Sequence, residues 1–371
     1  MVAAVGRRTR ASIVEQNDQA LRTAVMDMAY EVGWESVTFT GVAKRANLTV
    51  GAVYGRAENL AELGIDLWEA RVHHWLASVV GGLLEAGESG DPKAMGHALE
   101  RWHHEPRMTA AAIDLIIASL FDPDLSEVVG VDVTRLLAPS CTPSTQPRVT
   151  GQHAAARALV LSFGFGRAIA LRGGATLEPL SIARLRAVAG LCVAPPLRRT
   201  APKGPELRWV RPMEELDSTT RAILQGTVEV VGRVGYRRAT IARIARAAKV
   251  PRGSVMSHFA TKAHLLGEAA RFALIPPGEV WEQYAEVVTK RGPLEARAAF
   301  LGDFLKPDNR ALWALNLELA RVGRFIPEVG AFRANPNVLE HTHLGVMLVA
   351  SFVPGLEKLN YLGPFQAGSA T

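Results

Sequence analysis

Residues 240–262 read TIARIARAAKVPRGSVMSHFATK. Thr240 suits a helix N-cap, because its hydroxyl can accept from a first-turn backbone N–H. From there Ile241, Ile244, Ala245 and Ala248 recur at helical spacing on one face, while Arg243, Arg246 and Lys249 point away. The alanines leave room for a second helix to pack closely. Val250 fills the turn and Pro251 suits the first position of the next helix, from which Arg252, Ser254, Ser257 and His258 project while Val255 and Phe259 face inward. Two short helices at a tight turn, apolar inside and basic outside, form a helix-turn-helix, which sets one helix into the major groove of DNA.

The pattern occurs twice. Asp18–Leu63 and Thr220–Leu265 align without a gap at an offset of 202 residues. Leu21, Ala24, Val32, Gly33 and Thr38 match Ile223, Gly226, Val234, Gly235 and Thr240, and Val42, Ala43, Ala46, Leu48 and Val53 match Ile244, Ala245, Ala248, Val250 and Val255. Beyond these modules, Phe121-Asp-Pro-Asp-Leu125 resembles Phe325-Ile-Pro-Glu-Val329, and Ser162-Phe-Gly-Phe-Gly166 echoes Ser351-Phe-Val-Pro-Gly355 at a smaller offset. An extra Pro/Ser/Thr-rich loop over Ala138–Pro147 explains the shift. The second copy stops soon after Tyr361 and lacks a counterpart of the apolar helix over Leu180–Leu191.

These repeats predict an all-α chain of two tandem units, each a three-helix DNA-binding domain followed by a helical bundle. The expected boundaries are 1–63 and 64–192 for the first unit, 193–216 for a linker, and 217–265 and 266–371 for the second unit. The linker holds Pro195, Pro196, Pro202, Pro205 and Pro212 among Arg198, Arg199, Lys203, Arg208 and Arg211, so it reads as extended, its charges either solubilising or touching DNA backbone. The 371 residues are 48% hydrophobic and 21% charged, enough apolar content for a sizeable core, and the net charge of +6 favours an acidic partner. Cys141 and Cys192 make neither a disulfide framework nor a zinc site. The N-terminal arginines precede no apolar run and Leu344–Leu356 is short for a bilayer, so the expectation is a cytoplasmic protein with no membrane partner.

The second module, Gly235 through Thr240-Ile-x-x-Ile244-Ala-x-x-Ala248, Val250, Gly253-Ser-Val-x-x-His258-Phe-x-Thr-Lys262 to Leu265, resembles the tetracycline-repressor (TetR) family of bacterial transcription regulators; Gly33–Leu63 resembles it more loosely. The resemblance implies a DNA-binding domain followed by a larger helical domain that binds a small molecule and dimerises. Members usually place two identical modules on a palindrome. With two modules in one chain, either an intramolecular pseudo-dimer or a homodimer through the longer first bundle follows.

Family members typically end the third helix Tyr-x-His-Phe, with a Lys opening helix four; the Tyr and Lys touch phosphates. The second copy keeps His258, Phe259 and Lys262 but has Met256 at the Tyr position, whereas the first keeps Tyr54 but has Arg56, Ala57 and Leu60 at the positions that follow. Asp217–Leu266 carries a net +7 and Met1–Leu60 a net +1. Phosphate neutralisation dominates affinity, so the second module is expected to supply most of the binding. Arg252, Ser254 and Ser257, with Thr49, Val50 and Ala52 in the first module, are the candidates for reading bases; Arg252 could instead meet only phosphate. Thr240, Arg243, Arg246, His258 and Lys262, with Thr38, Lys44, Tyr54 and Arg56, complete the DNA-binding set, mainly toward the backbone.

In the bundles, Trp102, Phe121, Phe304 and Trp313 either line a pocket for a small apolar effector or belong to the core. The histidine pairs have no chelating spacing, and no nucleophile, base, metal or cofactor constellation marks an enzyme. The expected function is sequence-specific transcription regulation by a ligand-responsive repressor on a two-half-site operator. The alternative is a ligand-binding or sequestering protein with one degenerate module.

Overall fold

The computed structural model describes residues 10–142, 151–193, 216–274, 278–330 and 338–369. Among these, every regular element is helical. The first half comprises α1 (Arg10–Val32), α2 (Phe39–Ala46), α3 (Val50–Tyr54), α4 (Leu60–Leu67), α5 (His73–Ser89), α6 (Pro92–His104), α7 (Pro106–Ala118), α8 (Pro123–Leu125), α9 (Val131–Cys141), α10 (Gly151–Arg172) and α11 (Ile182–Ala189). The second comprises α12 (Ser218–Arg238), α13 (Ile241–Ala247), α14 (Arg252–His258), α15 (Lys262–Leu274), α16 (Gly278–Arg291), α17 (Pro293–Phe304), α18 (Arg310–Val322), α19 (Pro327–Gly330), α20 (Val338–Phe352) and α21 (Leu362–Ser369).

Local chemistry sets the matched helix ends. Thr38 caps α2 by accepting from the Gly41 N–H, and Thr240 caps α13 by accepting from the Arg243 N–H. Asn47 and Lys249, again 202 residues apart, both turn the chain with φ of 56°. Gly33 and Gly235 take φ of 85° and 72° where the long first helix gives way to the next, a conformation that strains any residue with a Cβ.

The packing order recurs. α1 lies on α2, α4 and α7, and α12 on α13, α15 and α18; α5 pairs with α6, and α16 with α17. Between the halves, α10 packs along α20, so closely that a Cβ on Gly345 would overlap the Ser162 carbonyl, and α7 meets α18. α10 is long and apolar enough to cross a membrane, and most of it is buried inside this fold.

Three local expectations change. A terminal helix, α21, follows Tyr361 and packs on α17 and α11, much as α11 packs on α6, so the second half has the closing helix its sequence seemed to lack. α9 runs through Cys141 with Pro139 inside it, so the loop expected from Ala138 begins later. Pro251 sits at the N-cap of α14, and Arg252 is the first helical residue. Residues 143–150 of that loop region, the proline-rich stretch 194–215 and the arginines at 7 and 8 lie outside the described residues.

Candidate nucleic-acid interface

In the second module Ile244, Ala245, Ala248, Val255 and Phe259 are buried, joining Ile223, Val230 and Leu265 in a cluster that continues through Leu315, Leu319 and Val322 of α18. That inward face leaves Thr240, Arg243, Arg246, Arg252, Ser257 and His258 exposed and Ser254 half-buried. Arg243 donates to the Arg238 carbonyl at 3.1 Å, while Arg246 and Arg252 make no ion pair or side-chain hydrogen bond among the described residues. The Ser257 hydroxyl donates to the Ser254 carbonyl at 2.9 Å. His258 Nδ1 lies 2.7 Å from the same oxygen, which requires the Nδ1–H tautomer, since a carbonyl only accepts.

Lys262 is turned inward. Its ammonium donates to the Tyr236 carbonyl and sits 3.9 Å from the centre of the Tyr236 ring. Burial lowers its pKa, with Glu35 and Glu318 pulling the other way. Contact with phosphate requires this side chain to swing out.

The first module has the same frame but different chemistry. Thr38, Lys44, Thr49, Val50, Tyr54 and Arg56 are exposed and Ala52 is half-buried. The hydroxyls of Thr38 and Thr49 already serve as caps, Thr49 accepting from the Ala52 N–H at 3.1 Å. The Tyr54 ring lies 4.7 Å from that of Phe39, tilted by 51°. Arg56 is paired with Asp18 at 2.5 Å and donates to the Ala52 carbonyl, and Arg45 is paired with Glu31 at 2.5 Å. The Arg45 hydrogen bond in turn holds the Glu31 carboxyl below its usual range. Ala57 fills the place of Phe259 and is buried. The start of α4 survives this change: Asn59 caps Glu62, whose carboxylate returns to the Glu58 N–H.

The modules meet across a cleft of about 370 Å³ whose walls include Trp34, Glu35 and Leu60 from the first, Val234, Gly235 and Arg238 from the second, and Phe121 and Asp122. Two contacts cross reciprocally. A Cβ on Gly33 would come within 2.8 Å of the Phe325 ring, and one on Gly235 within 3.2 Å of Phe121.

Beneath lie two buried acids at matched positions, Asp114 on α7 and Glu318 on α18. Asp114 is clasped by Arg172, which also donates to the Ala29 carbonyl at the end of α1. Glu318 accepts from Arg321 and from the Tyr236 N–H, and Arg321 reaches Glu35. Burial opposes the charge on Arg321, but Glu318, Glu35 and Asp114 outweigh it and raise its pKa; burial also raises that of Glu318 against the pull of Arg321. Sequence reading missed this cluster. A carboxylate at the same place in two largely apolar stretches, AAAIDLIIA and LWALNLEL, was the available signal.

The four aromatics do not share one surface. Trp102 is fully buried between Trp75 and Phe165, Trp313 donates to the Phe304 carbonyl inside the second bundle, and Phe121 lines the cleft.

A capped helix-turn-helix with a free basic outer face is a DNA-binding domain, and residues 223–269 match the family of bacterial regulatory proteins called tetR. That span runs from α12 into α15 and supports a DNA-binding transcriptional regulator of the TetR family, whose members bind operators and usually dimerise. No curated protein matches the chain.

Proposed function

We propose that the protein is a cytoplasmic, non-enzymatic repressor that binds a double-stranded operator through two modules carried on one chain, with release controlled by a small effector. The chain is read as two tandem units acting as a covalent pseudo-dimer. The observation that carries this reading is the reciprocal contact of Gly33 with Phe325 and Gly235 with Phe121, the i-to-j and j-to-i pattern of an isologous interface. Covalent linkage keeps the second module at high local concentration once the first engages. The two surfaces differ, so the operator is an imperfect palindrome with half-sites about 34–36 Å apart, or a multiple of that.

The test is selection from a random double-stranded DNA pool with the full chain, followed by footprinting. Two unequal half-sites covered by one chain is the expected result; two identical half-sites, or two chains per site, defeats the pseudo-dimer. A second reading, a ligand-binding or sequestering protein with a degenerate first module, is favoured by the internal pairing of Arg45 and Arg56. Absence of any enriched sequence selects it.

A further inference from the structure

We propose that Glu318 and Arg321 form a clamp that fixes the separation of the two recognition helices and thereby selects the spacing between half-sites. The inference rests on the reading that both modules engage one DNA. A continuous chain of bonds joins the modules: the Tyr236 N–H donates to Glu318 Oε1 at 2.6 Å, Arg321 Nε donates to Glu318 Oε2 at 2.9 Å, and Arg321 Nη2 donates to Glu35 Oε1 at 2.5 Å. Its two ends lie at the same structural point in each module. Tyr236 follows Gly235, where the long first helix of the second module breaks before α13, and Glu35 lies in the short 3-10 turn Trp34–Ser36 that joins α1 to α2. Holding those two turns therefore holds the helix-turn-helices that follow them.

The clamp has the rigidity this role requires. Glu318 and Arg321 retain 1% and 3% of their exposure. Arg321 spends its planar fork on two carboxylates from different halves, so neither module can rotate without breaking a charge-assisted bond. Above it the modules face each other over an open cleft, bordered by the crossed Gly–Phe contacts.

No matching clamp exists among the described residues. The position corresponding to Arg321 is Ile117, and Asp114, in the place of Glu318, is held by Arg172, which binds the end of α1 in its own half. The clamp is thus asymmetric; another polar contact between the halves, Arg238 donating to the Phe121 carbonyl at 3.3 Å and lying 3.8 Å from Asp122, is half-exposed.

The experiment uses the full chain with Cys192→Ser and spin labels at the exposed positions 50 and 256, through Val50→Cys and Met256→Cys. Double electron–electron resonance then compares the parent with Glu35→Gln, in which Glu318 and Arg321 keep each other, and with Arg321→Met. The parent is expected to give one narrow distance, and Glu35→Gln a shifted or broadened distribution. An unchanged distribution in Glu35→Gln overturns the clamp whether or not Arg321→Met folds. Selection from the same random DNA pool, with unlabelled chains that keep Val50 and Met256, reads the consequence: the chain with Glu35 enriches half-sites at one spacing, and Glu35→Gln loses that single preference. A retained single spacing despite a broadened distance overturns the role in spacing. Failure of both proteins to enrich any paired site defeats the two-module reading instead, while the distance measurement still judges the clamp.

Discussion

The modules α1–α4 and α12–α15 share caps, left-handed turn residues and glycine breaks at a constant offset, yet their outward faces differ in chemistry. In the second, Arg246 and Arg252 are free of side-chain partners among the described residues, and Phe259 packs in a cluster that, like that of the first, runs on into its bundle, here through Leu315 and Leu319. In the first, Arg45 and Arg56 are neutralised within the module, and its core runs on into the bundle through Leu67, Trp68 and Leu115. The lesson is that a fold can be preserved by apolar positions and caps while its unpaired surface charge is redistributed by where the arginines find their carboxylates. Formal charge exaggerates what the first module can offer, since an arginine already paired displaces fewer counterions from DNA.

Three sets of substitutions would break or sharpen this contrast. The largest effect is expected at the aromatic anchor: Phe259→Ala removes a buried ring and should cost about 3–5 kcal/mol, whereas Ala57→Gly, at the matched position, should cost only about 1 kcal/mol. Chemical denaturation measures both, and similar losses would mean that the two cores are closed in the same way.

Next in size is the charge contrast. Replacing Arg243, Arg246 and Arg252 by Ala should flatten the slope of log K against log salt by about 2.7 and weaken binding on the order of 100-fold. Replacing Lys44, Arg45 and Arg56 should flatten it by only about 1, because two of the three are already paired. Equal changes in a salt titration would abolish the ranking of the modules.

The smallest effect is a gain. Asp18→Asn with Glu31→Gln releases Arg56 and Arg45, and should steepen the slope by up to about 1.8 while raising affinity at low salt. If the slope does not move, the first module lies away from the phosphates altogether.

Much of the fold is legible in the sequence because its determinants are local. Thr38 and Thr240 cap helices through atoms three residues away, and the buried faces of α2 and α13 follow from spacing alone. The outward positions of the helix-turn-helices were legible for the same reason: positions opposite a buried face are exposed. The inward turn of Lys262 was not, since it depends on Tyr236, 26 residues earlier, and neither were the pairs Arg45–Glu31 and Arg56–Asp18, which span 14 and 38 residues. The closing helix α21 escaped notice because LGPFQAGS is short and carries a Pro and two glycines, weak helix formers that the contacts with α17 and α11 override.

By itself the sequence determined the helix-turn-helix that matches the family model, a similar pattern 202 residues upstream and which of the two is more basic, the patterns following from short-range hydrogen bonding and helical periodicity. Only the tertiary structure decided that the halves meet through crossed Gly–Phe contacts and that Arg321 reaches Glu35 across 286 residues. Which carboxylate an arginine finds depends on how whole helices dock, and no local pattern encodes that distance.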